Sequence, residues 1–325
     1  MKLVIQIPCY NEEQTLGLTL AQLPRKLPGV STIEYLVVND GSSDRTVEVA
    51  RAAGVHHIVD LQSNSGLAKA FMAGIKASLR AGADIIVNTD ADNQYCAADI
   101  GKLIEPILEN RAEIVVGARP IEQIQHFSPL KKFLQRLGSW VVRRASRTDI
   151  PDAPSGFRAF SRQAASRINV FSDYTYTLET IIQAGQSGMA TASVPIRTNG
   201  DLRPSRLVKN SLHYVVRSVW TILRIFMTYR PLRFFFLVGS VPLLFGFLLG
   251  LRWMILFEGG RPASHIPSLI LSALLIIIGV QLWIFGLIAE LSRVNRVLLE
   301  EIQMRMRHDD LSPRLSRVTA RAISG

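Results

Sequence analysis

Cysteine is scarce in this chain: Cys9 and Cys96 are the only two in 325 residues. Neither lies in a CxxC-type spacing, so the sequence offers neither a disulfide framework nor a thiolate metal knuckle. Both thiols are expected to be reduced, in a cytoplasmic domain. The six histidines show no ligand spacing either. The first residues lack the basic stretch, long apolar run and small-residue cleavage site of a secretory signal; Met1-Lys2 leads straight into the apolar run Leu3–Ile7. No internal repeat and no low-complexity segment is present. Acidic residues are depleted from one region only. Residues 1–202 hold 21 Lys and Arg against 20 Asp and Glu, whereas 203–325 hold 16 against 6, so nearly all of the net charge of +11 lies in the second region. That surplus flanks long apolar runs, which fits anionic lipid headgroups better than nucleic acid.

The first 120 residues alternate short apolar runs with helical patterns. The runs are Leu3–Ile7, Tyr35–Val38, His57–Val59, Ile85–Asn88 and Ile114–Val116, with helices expected near 13–23, 44–53, 67–80 and 97–109. Strands alternating with helices predict a Rossmann-like α/β domain, its mostly parallel sheet covered on both faces. Ligands of such sheets lie beyond the carboxyl ends of the strands. Polar clusters follow three of the runs: Tyr10-Asn11-Glu12, Asp40-Gly41-Ser42 and Asp90-Ala91-Asp92. Acids are therefore expected to gather at one sheet edge.

Further on, Lys131–Arg147 interleaves basic residues with Phe133, Leu134, Leu137, Trp140 and Val141, the pattern of an amphipathic surface helix. From Leu207 to Arg230 the pattern is again helical. Lys209, His213, Arg217 and Arg224 share a face, and Trp220, Phe226 and Tyr229 supply interfacial aromatics, so an in-plane membrane helix is expected there. Phe234–Leu251 and Ile266–Ala289 contain no charge. At about 1.5 Å per residue each can cross a hydrocarbon core of about 30 Å. Arg230 and Arg233 precede the first run and Arg293 and Arg296 follow the second, which puts both termini in the cytoplasm. The expected division is a catalytic domain over 1–204, a juxtamembrane helix over 205–232, a transmembrane hairpin over 233–290 and a basic tail over 291–325. The last fifteen residues read as a mobile tail.

Asp90-Ala91-Asp92 is the central constellation. Two carboxylates two positions apart, just past a strand, can converge on one hard cation, and Gln94 adds a neutral oxygen. Such donors suit Mg²⁺ or Mn²⁺ bridging diphosphate oxygens. An isolated Asp-x-Asp is more often a solvated loop, so its company decides. Ile7-Pro8-Cys9-Tyr10-Asn11-Glu12-Glu13, Val38-Asn39-Asp40-Gly41-Ser42-Ser43-Asp44, Thr89–Gln94 and Val116-Gly117-Ala118-Arg119 stand in order. Together they resemble family 2 glycosyltransferases of the GT-A fold. Pro154-Ser155-Gly156-Phe157-Arg158-Ala159-Phe160 narrows the resemblance to the polyprenyl-phosphate branch, the dolichol-phosphate mannose synthase type.

The resemblance implies a nucleotide-sugar donor held by Pro8, Tyr10, Glu12, Val38, Asp40, Asp90 and Ala91. It implies Mg²⁺ or Mn²⁺ on Asp90, Asp92 and Gln94, and acceptor-phosphate arginines at Arg119 and Arg136. Arg203 and Arg206 resemble the loop that closes over the donor diphosphate, and Asp92 and Asp152 resemble catalytic acids. Local readings stand beside these: a turn or helix-cap role for Asp40, a solvated helix face for Arg136 and a juxtamembrane basic patch for Arg203 and Arg206. Asp152 could assist near the anomeric carbon or cap the following turn. Glu179 is expected to be a surface or packing residue, and Arg158 to pair with a buried acid. Ala68 stands where a second Gly is common, Tyr95 where relatives show His-Pro, and Arg203 where Gly is frequent; the donor base and sugar stay open.

The reaction implied is inverting transfer of a hexose, from a donor of the GDP-mannose or UDP-glucose class, to a polyprenyl phosphate at the cytoplasmic face of the inner membrane. A phosphate monoester, with its second pKa near ~6, is largely ionised at neutral pH and needs no strong base. A processive polysaccharide synthase would carry Gln-x-x-Arg-Trp, which is absent. A glycolipid synthase using a diacylglycerol or ceramide hydroxyl would need a clear base. An inactive membrane scaffold would be expected to have lost Asp90 or Asp92. Expected partners are the donor, the lipid phosphate, the bilayer and, as an open possibility, a second copy of the chain.

Overall fold

The computed structural model describes residues 1–120, 136, 139–140, 142–144, 146–170, 176–199, 220, 223–224, 227, 229–258 and 266–311. The chain divides into two compact units, Met1–Ser218 with Met304–Gly325, and Val219–Gln303.

In the first unit, seven strands form one sheet: β1 Lys2–Cys9, β2 Thr32–Asp40, β3 His57–Leu61, β4 Ile85–Asn88, β5 Ile114–Ala118, β6 Arg158–Ser161 and β7 Thr191–Pro195, in the order β3-β2-β1-β4-β6-β5-β7. All neighbours pair in parallel except β6, which runs antiparallel to both β4 and β5. The five strands foreseen in the first 120 residues are present. β6 and β7 escaped the pattern reading, because four residues opening on Arg158 do not read as a buried strand.

Both faces of the sheet are covered, so its central strands are apolar on both sides. Leu3, Ile5, Ile7 and Cys9 of β1 pack with α1 (Leu16–Gln22) and α4 (Ile100–Leu108). Val4, Leu36, Val38 and Ile86 pack on the other face with α3 (Leu67–Arg80), α5 (Arg162–Arg167) and α6 (Tyr176–Gln186). A short helix, α2 (Thr46–Ala52), adds Ala50 to the first cluster. Gln6 breaks the apolar run of β1. It donates to Asn88 Oδ1 at 2.9 Å, and Gly74 of α3 leaves it room, since a Cβ there would lie 2.5 Å from its Oε1.

Parallel pairing brings the carboxyl ends of β1, β2, β4 and β5 to one edge, and antiparallel β6 enters from that same edge. The register sets Arg158 beside both Asn88 and Val116. Tyr10–Glu12, Asp40–Ser42, Asp90–Gln94, Arg119 and Gly156–Arg158 are thus brought to one rim.

The second unit contains α7 (Pro231–Glu258) and α8 (Ile266–Leu311) as far as Gln303; both helices are long and apolar enough to cross a membrane, with apolar stretches at Pro231–Phe257 and Ile266–Asn295. They approach closely at small residues, since a Cβ on Gly239 would lie 2.9 Å from the Gly279 carbonyl oxygen. Ser272 donates to the Gly246 carbonyl at 2.6 Å, and Trp283 stacks on Phe236 with centroids 4.8 Å apart. Such contacts favour helix association in lipid. Large side chains such as Leu237, Phe245 and Ile284 face outward. α8 does not stop at the end of its apolar run: no Gly or Pro lies between Leu287 and Leu311, and Glu290 pairs with Arg293 one turn on.

Candidate active site

The loops after β1 and β2 are stitched together by their own polar side chains. Asn11, with φ +54°, donates its N–H to Ser42 Oγ at 2.9 Å, and its Oδ1 accepts from the Ser43 N–H at 2.8 Å. The Glu12 N–H donates to Thr46 Oγ1 at 2.9 Å, while the largely buried Glu12 carboxylate accepts from Thr15 Oγ1 at 2.6 Å. Asp40 is buried and accepts the N–H groups of Ser65 and Gly66 at 2.7 and 2.9 Å. It therefore caps the loop before α3, not its own Gly41-Ser42-Ser43 turn. Tyr10 stands exposed on the rim; Pro8 and Val38 are buried within their strands.

After β4 the chain reverses through Asn93, whose φ of +58° asparagine tolerates better than most residues. The turn lets Asp92 Oδ1 accept the Gln94 N–H at 3.1 Å. Ala91 is buried, and its carbonyl accepts from Thr19 Oγ1 at 2.9 Å. Asp90 is recessed below. Burial and then the neighbouring Asp92 carboxylate push it up to about 7, against the opposing pull of Arg119 and the Tyr95 hydroxyl. Gly156 makes the floor: a Cβ there would lie 2.9 Å from the Tyr176 hydroxyl and 3.1 Å from both Asp90 oxygens. Its N–H donates to Tyr95 Oη at 3.0 Å, and its carbonyl accepts from Asn88 Nδ2 at 3.0 Å. Cys9 adjoins this acidic group; burial, with Glu12, Asp44 and Asp90, raises its thiol well above the usual range, so it is unreactive.

Arg119 and Asp152 form a buried ion pair. Asp152 Oδ2 accepts from the Arg119 backbone N–H at 3.1 Å and from Nε at 2.7 Å, and Oδ1 accepts from Nη2 at 3.0 Å. Asp152 thus anchors Arg119, a role neither sequence reading of it foresaw. Arg158 corrects a second expectation. It is fully buried, yet among the described residues it pairs with no acid: its guanidinium donates to the carbonyls of Ser155, Thr177 and Ala153 at 2.6–2.8 Å and to Thr180 Oγ1. Burial brings it down to about 10. This fork ties the Gly156 loop to α6. Glu179 is buried on α6, and Arg136 is exposed on a helical turn. Arg203, Arg206, residues 207–219, Lys131–Gln135 and residues 312–325 lie outside the described residues.

Among the described residues, no three His, Cys, Asp or Glu side chains converge as a closed metal cage. Asp90, Asp92 and Gln94 instead offer side-chain oxygens at alternate positions of one turn. That suits a hard divalent cation, which keeps waters and substrate phosphates among its ligands and takes one or two carboxylates from the protein. The raised Asp90 fits this too: two adjacent carboxylates resist joint ionisation until a proton or a cation relieves them.

A mixed sheet of this order, with acids at the carboxyl rim of its parallel strands, defines a GT-A-like α/β fold. The sequence matches the model of Glycosyl transferase family 2 over residues 4–168. The chain belongs to that family, and it is a glycosyltransferase. It is 30% identical over 217 residues to the UDP-N-acetylglucosamine–dolichyl-phosphate N-acetylglucosaminyltransferase of Methanococcus voltae, covering 59% of this chain and 83% of that one. It is 28% identical over 300 residues to the undecaprenyl-phosphate 4-deoxy-4-formamido-L-arabinose transferase of Pectobacterium carotovorum, covering 88% and 86%. The fold is similar to that of glucosyl-3-phosphoglycerate synthase from Mycobacterium tuberculosis, crystallised with Mn²⁺, UDP and glucosyl-3-phosphoglycerate. The TM-score is 0.55 at 17% identity, over 70% of this chain and 79% of that one.

Proposed function

We propose that the chain transfers a hexose, with inversion, from a nucleoside-diphosphate sugar to a polyprenyl phosphate at the cytoplasmic membrane face. The observation that carries this reading is the recessed Asp90–Asp92 pair on a rim shared with Arg119, in a chain that continues into two apolar helices. The two named relatives transfer different sugars, yet both names give a polyprenyl phosphate as acceptor.

In this reading Tyr10, Glu12, Asp40, Pro8, Val38 and Ala91 line the nucleoside end of the donor site. Asp90, Asp92 and Gln94 would hold Mg²⁺ or Mn²⁺, which when bound neutralises charge on the departing diphosphate. Arg203 and Arg206 supply further positive charge to that leaving group. Arg119, fixed by Asp152, gives a preorganised charge beside Asp90, and Arg136 serves the lipid phosphate. The acceptor oxygen attacks the anomeric carbon as the glycosyl–phosphate bond breaks, and no proton has to be removed from an ionised phosphate. A hydroxyl acceptor would need a base, and Asp152 instead gives both oxygens to Arg119. Residues 1–204 form the catalytic domain, 205–232 the juxtamembrane helix, 233–290 the hairpin and 291–325 the tail, with both termini cytoplasmic.

The test is a donor panel, including GDP-mannose and UDP-glucose, offered to purified full-length protein with undecaprenyl phosphate and Mn²⁺. One donor should yield a glycosylated lipid phosphate by mass analysis; no product from any donor counts against the reading.

A further inference from the structure

The segment after β7 is tied to the turn that carries the two carboxylates. Asn199 Nδ2 donates to the Asn93 carbonyl at 2.9 Å and to the Tyr95 carbonyl at 3.3 Å, while the Asn199 N–H donates to the Gln94 carbonyl at 2.9 Å. One residue thus engages three successive carbonyls around the left-handed Asn93. The tie is reinforced on either side. Tyr95 and Thr198 form an isolated bridge, and the Cys96 N–H donates to the Arg197 carbonyl at 3.2 Å. Arg197 closes on Asp99 through its backbone N–H at 2.8 Å and a side-chain fork whose shortest contact, Nη2 to Oδ1, is 2.8 Å.

We infer that Asn199 is a positioning residue for the cation site: its amide holds the Asp92–Gln94 turn in the shape that sets the Asp92 carboxylate beside Asp90. The physical reason is the turn itself. A non-glycine residue in the left-handed region persists only where its surroundings hold it there. Asp92 lies one residue before that reversal, so loosening the turn re-aims its carboxylate. The side chain is the part of the tie that a substitution can remove while leaving the backbone bond to Gln94 and the Asp99–Arg197 fork in place. A single amide nitrogen, Asn199 Nδ2, serves the carbonyls on both sides of Gln94, so its loss frees both at once. The inference rests on the cation reading of Asp90 and Asp92 proposed above.

The test uses full-length protein in detergent with Mn²⁺ alone, free ion being followed by electron paramagnetic resonance. Two variants are compared with wild type: Asn199→Ala, and Asn199→Leu, which keeps the bulk and loses the donor without adding charge. Both should bind Mn²⁺ about tenfold more weakly, as expected for lost hydrogen bonds to two carbonyls. Both should also show faster hydrogen exchange confined to peptides covering 90–96, with β1 and β4 protected as in wild type. Wild-type affinity in both variants, or unchanged exchange across 90–96, overturns the inference while leaving the carboxylate site standing. Wild-type protein that takes up no Mn²⁺ removes the site itself, and the tether's role with it. Exchange that quickens throughout the sheet would mark Asn199 as a general fold residue and also overturns the inference.

Discussion

Arg119 is bound to Asp152 through its backbone N–H, Nε and Nη2, with the aspartate side chain 1% and the arginine 9% exposed. A carboxylate so engaged is poorly suited to accept a proton from a substrate, and its neighbour is held as a fixed charge on the rim that carries Asp90 and Asp92. Asp152→Asn keeps the shape but leaves the guanidinium without its counter-charge. Breaking a buried pair from one side costs about 3–5 kcal/mol, so thermal unfolding in detergent should show a large loss of stability alongside lost activity. Lost activity at wild-type stability would instead give Asp152 a chemical role.

Asp92→Asn should abolish sugar transfer and leave the thermal midpoint close to wild type, because the half-buried Asp92 sits on a turn and not in the core. EDTA should have the same effect on wild-type enzyme, reversed by added Mn²⁺. Undiminished turnover in either case would remove the cation from the mechanism.

Stability of the metal-free protein should depend on pH through Asp90. Its carboxyl is raised to about 7 in the fold, from 3.8. Between those values the folded state holds the extra proton, so this group's contribution makes stability fall as pH rises toward about 7, with the full penalty present above it. Asp90→Asn removes the titration. Compared at pH 8 without metal, the variant should melt higher than wild type; compared at pH 5, the gap should shrink. A gap independent of pH would rule the shift out.

Gly156→Ala places a methyl 2.9 Å from the Tyr176 hydroxyl and 3.1 Å from the Asp90 oxygens. Something must shift, and the Asp90 carboxylate is one of the two groups in the way. In the proposed reading Asp90 holds the cation, and a misplacement of about 1 Å in an active site can cost on the order of a hundredfold in rate. Steady-state kinetics of Gly156→Ala should show a loss of that order with the fold retained. Near-normal turnover would mean that the close approach has no part in shaping the site.

Much of this site was legible as sequence because parallel strands carry their chemistry at their ends. Asp40 and Asp90 each follow an apolar run, so their edge placement came from periodicity alone. What they touch did not. Asp152 lies 33 residues from Arg119, and a contact at that separation leaves no local pattern. Arg158 misled for a physical reason: a buried charge usually seeks an opposite charge, whereas here backbone carbonyls satisfy the fork. β6 was hidden by that same arginine. Asn199 was invisible because a side chain bonding to main-chain carbonyls can be almost any short donor.

The two apolar helices carry a prediction about topology. With Arg230 and Arg233 before the first and Arg293 and Arg296 after the second, reporter fusions at Gly200 and Gly325 should both read as cytoplasmic, and one at Gly260 as the opposite side. A split between the first two would refute the hairpin.

The acceptor decides the account. Full-length protein with its preferred donor and Mn²⁺ should be offered undecaprenyl phosphate, undecaprenol and diacylglycerol together, and the lipids weighed by mass spectrometry. The sugar should appear on the lipid phosphate alone, and the signal should vanish in EDTA. Sugar on the free alcohol or on diacylglycerol, with the phosphate left unmodified, would contradict transfer to an ionised phosphate and return the chain to the hydroxyl-acceptor transferases.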